Sequence, residues 1–310
     1  MSLRRMRRDE GGVSPIIGAI IVLAILTITL VYFNAYRVPL EGEGLDRTFV
    51  EEGARAMQSL QSELRVGADQ TPLPLVQANL PITPPRPEAG LMAGFVVTPA
   101  TGGATARFNA TGPKITVFHE TAGGGIVYDL GGPGTGPGAE AGIPLGNLSL
   151  DAQPAYLRRV VHVLEGGALF RGDVRSQGTY WAPVLSTGLE MTSTKAALRI
   201  VRLTGDDTEV AGPRSARVTL EHEASTASPP PELAARRVTI VVETARPGAW
   251  KSLLTENLGV VPACGAGTPT ATCVTETATR LKLVLVGPSG GTAADLKLTT
   301  QLTAYRVRLN

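Results

Sequence analysis

The stretch Gly11-Gly-Val-Ser-Pro-Ile-Ile-Gly18 opens an apolar segment that ends around Phe33. From Gly11 to Tyr36, 26 consecutive residues carry no charged side chain. A helix needs about 20 apolar residues to cross the hydrocarbon core of a bilayer. The sequence therefore predicts a single transmembrane helix over residues 13–36, preceded by a basic cytoplasmic leader over residues 1–12.

The charges on the two sides of this helix predict its orientation. One arginine, Arg37, follows the helix, and four precede it: Arg4, Arg5, Arg7 and Arg8. Because positive charges favour the cytoplasmic side, we expect a cytoplasmic N-terminus and an extracellular body. A secretory signal peptide has an apolar run of about 7–15 residues and a small-residue cleavage site. This run is longer and lacks such a site, so we expect the helix to stay in the cell membrane.

The composition of the remaining chain is that of a folded protein with many turns. The 310 residues include 36 glycines and 23 prolines, and 43% of all residues are hydrophobic, too many for a disordered chain. The net charge is only +2, and the leader arginines account for it. Because the body has no basic excess, we expect no nucleic-acid partner.

An amphipathic pattern follows the apolar segment over residues 37–66. Apolar residues recur every three to five positions among charged ones: Leu45, Phe49, Ala54, Met57, Leu60 and Leu64. This spacing predicts a helical stalk, set off from the first helix by a kink or an interruption at Pro39, Gly42 and Gly44. The stalk packs either on the body or on copies of itself. Six prolines then predict an extended linker or an edge coil over residues 67–90.

Short β-branched runs of alternating polarity predict a β-rich extracellular domain over residues 91–310. The fold class is therefore mainly β and sandwich-like, with one long N-terminal helix. The predicted strands include 94–98, 104–109, 114–119, 126–130, 197–203, 216–223 and 236–244. A helix is expected over residues 247–258, and strands 280–286 and 295–309 are expected to pair as a hairpin. Two sub-units with a break near residues 185–195 are an alternative to a single domain.

Two further patterns concern covalent features of this domain. Cys264 and Cys273 lie in one short stretch, and outside the cytoplasm we expect them to form a disulfide. Two free thiols are the alternative. Asn109-Ala-Thr and Asn147-Leu-Ser are N-glycosylation sequons, so Asn109 and Asn147 are candidate modification sites.

No pattern in the sequence indicates catalysis, a cofactor or a metal. The three histidines, His119, His162 and His222, stand singly, whereas a zinc site needs about four ligands. The glycine-rich stretch 131–138 lacks the lysine and the helix of a phosphate-binding loop. We therefore expect a non-enzymatic protein without a cofactor. An ectoenzyme built from carboxylates that converge in the fold is the weaker alternative.

Val13-Ser14-Pro15-Ile16-Ile17-Gly18, behind an arginine-rich leader and ahead of a hydrophobic helix, resembles the N-terminus of archaeal type IV pilin-like proteins. The resemblance covers residues 4–33, a tenth of the chain. It implies that a prepilin peptidase cuts between Gly12 and Val13, and that the pilus assembly machinery receives the mature chain. It also implies self-association of the helix 16–33 in a filament core, where Gly18 would allow close helix approach.

These observations lead to two hypotheses. The first is a minor pilin or filament-associated subunit that displays its β domain at the pilus or cell surface, a role suited to the long body. The second is an uncleaved, permanently anchored envelope protein that binds a partner or a glycan. The acidic pair Asp9-Glu10, close before the expected cleavage position, favours the second hypothesis.

Overall fold

The computed structural model of the chain describes residues 10–67, 75–84, 100–134, 140–185, 188–212, 215–226 and 232–310. It confirms the predicted fold class, because the described part of the chain is mainly β-strand and one long helix stands at the N-terminus. The predicted strand 94–98 lies outside the described residues.

One helical segment runs without a break from Glu10 to Gly67. It consists of α1 (Glu10–Tyr32), a π-helical turn (Phe33–Arg37) and α2 (Val38–Gly67). At 1.5 Å per residue the whole segment is about 87 Å long. The helix predicted to span a membrane and the predicted stalk are therefore one continuous element.

The helix is not interrupted at Pro39: its hydrogen bonding changes just before this residue and the helix continues. Pro39 has no N–H to donate, and its ring would meet the carbonyl group of Ala35, four residues back. Just before Pro39 the helix widens into the π-helical turn, in which the Val38 N–H donates to Phe33 O. Such a local shift in the ladder is a known way for a helix to accommodate a disturbing residue.

The remaining elements are β-strands and one short helix, α3 (Pro247–Thr255), which begins with Pro247 as predicted. Within the described residues the strands are β1 (Val76–Leu80), β2 (Gly103–Asn109), β3 (Lys114–Glu120), β4 (Ile126–Leu130), β5 (Gly132–Pro133), β6 (Glu140–Ala141), β7 (Ile143–Pro144), β8 (Asn147–Gln153), β9 (Val160–Glu165), β10 (Ala168–Arg175), β11 (Gly178–Leu185), β12 (Leu189–Met191), β13 (Lys195–Thr204), β14 (Thr208–Ala211), β15 (Ala216–Ser225), β16 (Leu233–Ala235), β17 (Arg237–Glu243), β18 (Cys273–Glu276), β19 (Arg280–Val286) and β20 (Leu296–Leu309).

Most of these strands belong to three sheets. Sheet 1 has the order β1-β15-β20-β13-β12, with β16 also beside β20. Sheet 2 has the order β11-β10-β9-β8-β2-β14, and sheet 3 the order β18-β19-β17-β3-β4, with β7 beside β3. Neighbours in sheet 2 are antiparallel throughout. In sheet 1, β13 and β20 run parallel.

Among the described residues, the sheets and helices enclose two large hydrophobic cores. The helix-side core lies between α2, sheet 1 and sheet 2, and its buried residues include Phe49, Met57, Leu150, Leu220 and Tyr305. The α3-side core lies among α3, sheet 3 and parts of sheets 1 and 2, and its buried residues include Trp250, Ile240, Phe170 and Leu198. The amphipathic pattern of the predicted stalk thus corresponds to the face of α2 that packs on the body.

The predicted linker over residues 67–90 is wrong at its centre, where β1 forms an edge strand of sheet 1. β1 pairs with β15 from Val76 opposite Leu220 to Leu80 opposite Ala216. No proline falls inside β1, and Pro81 follows its last residue. Proline next to an edge strand is tolerated, because no ladder hydrogen bond is lost on the open side.

Two expectations about strand pairing also differ from the structure. β19 and β20 do not form a hairpin: β19 lies between β17 and β18 in sheet 3, and β20 lies between β13 and β15 in sheet 1. The turn residues between them carry the chain from one sheet to the other. The stretch 185–195 does not separate two units among the described residues, because strands from both sides of it share sheets 1 and 2.

Candidate functional site

The apolar side chains of α1 stand clear of the described body. The exposed large apolar residues between Ile16 and Tyr36 have exposed fractions from 50% to 69%. Apart from the neighbouring backbone of its own helix, no described atom lies within 4 Å of the position that a Cβ at Gly18 would occupy. From Ile16 onward, where burial is described, the first buried residue of the helix is Val38. This segment is therefore long and apolar enough to span a membrane, and no described part of the body covers it.

The two hydroxyl groups in the middle of α1 need no water. Thr27 Oγ1 donates to Leu23 O at 2.8 Å, and Thr29 Oγ1 donates to Ile25 O at 2.8 Å. In hydrocarbon, polar groups must be satisfied within the spanning segment itself. These hydrogen bonds meet that requirement.

A close contact fixes the start of α2 to the body. Tyr156 lies in the turn 154–159 between β8 and β9, and its ring packs so tightly on Gly42 that a side-chain carbon there would come within 2.2 Å of it. Asp46, one turn further along α2 and 1% exposed, accepts a hydrogen bond from the Tyr156 N–H at 2.6 Å. The Tyr156 hydroxyl accepts one from the Ala100 N–H at 3.0 Å. We call these contacts the helix latch.

Beyond the helix latch, α2 stays close to sheet 2. A side-chain carbon at Gly53 would come within 2.9 Å of Leu150 in β8. The buried Gln61 donates from Nε2 to Gly167 O at 3.2 Å, in the turn between β9 and β10. Gly42 and Gly53 are three helical turns apart, so they lie on one face of α2. Gly42 therefore lets α2 approach the body closely. Contrary to the expectation, the helix is not interrupted at Gly42.

A buried carboxylate joins the two cores. Glu165 at the end of β9 is 0% exposed and accepts hydrogen bonds from Arg246, from Trp250 Nε1 and from Thr244 Oγ1. The Arg246 guanidinium also lies over the ring of Trp181, 4.4 Å from its centre. β9 belongs to sheet 2, whereas the three donor residues come after β17 of sheet 3 in the chain. This cluster, the Glu165 cluster, therefore ties the sheet under α2 to the sheet beside α3.

The expected cleavage position lies in the first turns of α1. Gly12, Val13, Ser14 and Pro15 all fall within its helical backbone. Phe33 begins the π-helical turn and is half-buried. A cut between Gly12 and Val13 would remove the leader and leave the exposed apolar part of α1 intact.

The predicted disulfide between Cys264 and Cys273 is confirmed, with 4.9 Å between the two Cα atoms. Its loop lies over the outer face of sheet 3, where Arg237 Nε donates to Pro269 O at 2.9 Å. Disulfides are in general typical of proteins that fold in oxidising compartments.

The two sequon asparagines lie opposite each other. Asn109 in β2 pairs with Asn147 in β8, and both side chains are half-buried. Asn109 Oδ1 accepts hydrogen bonds from the N–H and the hydroxyl of Thr111, each at 2.9 Å. Both sequons line a polar cleft of about 650 Å³, together with Glu243, Arg246 and Arg280. Modification of Asn109 and Asn147 stays a prediction.

The histidines do not form a catalytic set. His119 Nδ1 lies 2.8 Å from Asp129 Oδ2 in sheet 3, and burial raises the pKa of the Asp129 carboxyl against the lowering effect of His119. His222 Nε2 lies 2.8 Å from Ser225 Oγ, and none of the three histidines lines the polar cleft. Within the described part of the chain, no group of three or more His, Cys, Asp or Glu side chains could hold a metal ion.

His162 should make the stability of the fold depend on pH. It is 2% exposed, and its Nδ1 has no hydrogen-bond partner. Burial and then nearby Arg171 lower its pKa from 6.5 to about 4. Between these values the unfolded chain binds a proton that the folded chain does not, so stability is lost as the pH falls through this range. The full loss is about 3 kcal/mol.

Urea unfolding of the detergent-solubilised full chain, at near-neutral pH and at about pH 4, measures this effect. We expect His162→Gln to have a smaller loss of unfolding free energy on acidification than the wild-type chain, because glutamine does not titrate. Equal losses of unfolding free energy in the two chains would show that His162 does not cause the pH dependence.

Sequence reasoning missed the helix latch and the Glu165 cluster. One signal for the latch was present: Asp46 falls on the apolar face of the amphipathic pattern, where a charged residue needs a buried partner. Glu165 gave a similar signal for its cluster, because this charged residue ends a run of mainly apolar strand residues. The partners Tyr156 and Arg246 lie far away in the sequence, so no local pattern could have identified them.

Comparison of the chain with protein-family profiles, with curated proteins and with solved structures gave no match.

Proposed function

We propose that the chain is a non-enzymatic, single-pass membrane protein of the cell surface, which holds and displays its β domain through α1. The exposed apolar surface of α1 carries this proposal. Exposing apolar surface to water costs about 25 cal/mol per Å², and soluble monomers rarely leave such a large contiguous patch uncovered. Lipid, or the helices of other chains, would cover it.

The attachment of α2 to the body supports a role in display. α1 continues into α2 without a break, and the helix latch and Gln61 hold α2 on sheet 2. The body therefore moves together with α1, as display of the body by this helix requires.

The charge pattern and the disulfide support an extracellular body. The arginine-rich leader favours a cytoplasmic N-terminus, and the bond between Cys264 and Cys273 is typical of compartments outside the cytoplasm. We infer the same side for Asn109 and Asn147.

Within this class we infer a pilin-like protein, a minor pilin or a filament-associated subunit. The resemblance of Val13-Ser14-Pro15-Ile16-Ile17-Gly18 to archaeal pilin N-termini supports this inference. The even exposure around α1 also suits self-association, because every face of the helix is free to pack. The expected partners are the membrane, a prepilin peptidase, the pilus assembly machinery and other copies of the chain.

The second candidate is an uncleaved envelope protein that stays in the membrane and binds a partner or a glycan. It uses the same exposed helix but needs neither processing nor a filament. The acidic residues Asp9 and Glu10 near the expected cleavage position favour it.

An intact-mass measurement of the chain from native membranes separates the two candidates. We expect Val13 as the first residue of the mature chain if it is pilin-like. A matched chain with Gly12→Trp should retain the leader, because a bulky residue replaces the small one at the cleaved bond. A wild-type chain that keeps Arg4 to Arg8 would contradict the pilin-like assignment and leave the anchored envelope protein.

A further inference from the structure

We infer that one end of the body rests on the phosphate layer of the membrane, an inference that depends on the proposed membrane span of α1. Among the described residues, this end includes the turn 154–159 between β8 and β9 and the turn 176–177 between β10 and β11, which we call the proximal rim. It is the end of sheet 2 that lies beside the start of α2.

The length of the helix sets the distance between the membrane and the proximal rim. The segment from Ile16 to Tyr36 extends about 32 Å, close to the hydrocarbon thickness of about 30 Å. Arg37 then lies at the hydrocarbon boundary, and Gly42 lies about 8 Å beyond it. A headgroup layer is about 5–8 Å thick. Because the ring of Tyr156 packs on Gly42, the turn 154–159 lies at the outer surface of the headgroups.

The topology of sheet 2 brings the second turn to the same end. β8, β9, β10 and β11 are successive antiparallel neighbours, so the β8–β9 and β10–β11 turns share one end of the sheet. The Val174 N–H donates to Arg159 O at 3.1 Å, which joins the β8–β9 turn to the end of β10, next to the second turn. The β9–β10 turn lies at the opposite end, where Gln61 of α2 contacts Gly167. α2 therefore runs from the proximal rim to the far end of sheet 2.

The side chains of the proximal rim suit a phospholipid surface. Arg158 and Arg175 are exposed. The Arg175 guanidinium lies over the ring of Tyr180, 5.7 Å from its centre, and Tyr180 itself is 62% exposed. A planar guanidinium binds phosphate through two parallel hydrogen bonds. Tyrosine is enriched at membrane interfaces, where its ring lies against apolar groups and its hydroxyl meets water.

The charge near the helix indicates the kind of lipid contact. Glu41 and Glu43 flank Gly42 and are exposed, so they offset part of the positive charge of Arg37, Arg158 and Arg175. We therefore expect short-range contact between arginine and phosphate, with phosphatidylcholine sufficient as the lipid. Long-range attraction to anionic lipid is not required.

A fluorescent probe at the proximal rim tests the contact in the full chain. Ser176→Cys places the probe on the rim, and Asp206→Cys places it beside β14 at the other end of sheet 2 as the matched control. The chain is reconstituted in phosphatidylcholine vesicles that contain a headgroup spin-labelled quencher lipid. We expect several-fold stronger quenching at residue 176 than at residue 206. Arg158→Glu with Arg175→Glu should weaken the quenching at residue 176 without abolishing it, because the helix still holds the rim near the headgroups. Arg158→Lys with Arg175→Lys should preserve most of the quenching. Unchanged quenching in the glutamate variant would overturn the contact between arginine and phosphate.

Each other outcome has a distinct meaning. A chain that floats with the vesicles but shows equal, weak quenching at residues 176 and 206 overturns the rim contact and leaves the membrane span in place. A probe at residue 176 that is shielded from water but not quenched by lipid would place a second copy of the chain there, which also overturns the contact. A chain that does not float with the vesicles overturns the span together with the rim contact.

Discussion

Glu165→Ala should lower the free energy of unfolding by about 3–5 kcal/mol, the usual cost of removing one partner from a buried ion pair. The substitution leaves the Arg246 guanidinium, whose side chain is only 14% exposed, without its carboxylate. It also removes the acceptor of Trp250 Nε1 and of Thr244 Oγ1. Because domains are stable by only about 5–15 kcal/mol, this one change should remove a large share of the total.

Two further variants make the measurement specific. Glu165→Gln keeps an oxygen that accepts from Trp250 and Thr244 but loses the charge opposite Arg246, so we expect an intermediate effect. Glu209→Ala removes the acidic partner of Arg107 from an exposed pair, which should cost at most about 1 kcal/mol. Urea unfolding of the detergent-solubilised chain can be followed by tryptophan fluorescence, since Trp250 and Trp181 adjoin the cluster. Equal midpoints for Glu165→Ala and Glu209→Ala would contradict a joining role for Glu165.

Two charges in the middle of α1 should prevent its insertion into a membrane. An arginine at the centre of a spanning helix costs about 2.5–3.5 kcal/mol on insertion scales, so Val22→Arg with Leu26→Arg costs about 5–7 kcal/mol. Both side chains are exposed in the structure, at 63% and 54%. We therefore expect the body to fold while the chain loses its membrane association.

Alkaline extraction of membranes measures this loss. The matched control carries the same two charges on the exposed face of α2, as Thr48→Arg with Ser59→Arg, and should remain with the membrane pellet like the wild-type chain. Equal retention of both variants would show that α1 does not enter hydrocarbon.

Features of the fold that depend on local patterns could be predicted from the sequence. The uncharged run from Gly11 to Tyr36 predicts the apolar helix, alternation predicts most strands, and the spacing of Cys264 and Cys273 predicts the disulfide. Each of these signals lies within one short segment, where the period of apolar residues or the separation of two side chains is directly visible.

The features that were missed depend on contacts between distant segments. A turn signal such as 287–291 marks where the chain reverses but does not tell whether β19 and β20 remain neighbours. Glycine in a helical pattern indicates either an interruption or a close approach, and only the ring of Tyr156 decides for Gly42. In the same way Glu165 acquires its role from Arg246, which belongs to another part of the chain.

Accessibility of single cysteines in intact cells tests the proposed span of α1 most directly. The two native cysteines are joined in a disulfide, so a membrane-impermeant maleimide reports only an introduced thiol. Thr48→Cys, on the exposed face of α2 and about 16 Å beyond Arg37, should react from outside. Ile25→Cys, in the middle of α1, should react only after the membrane is dissolved. Equal reaction of Ile25→Cys and Thr48→Cys in intact cells would contradict a membrane-spanning α1.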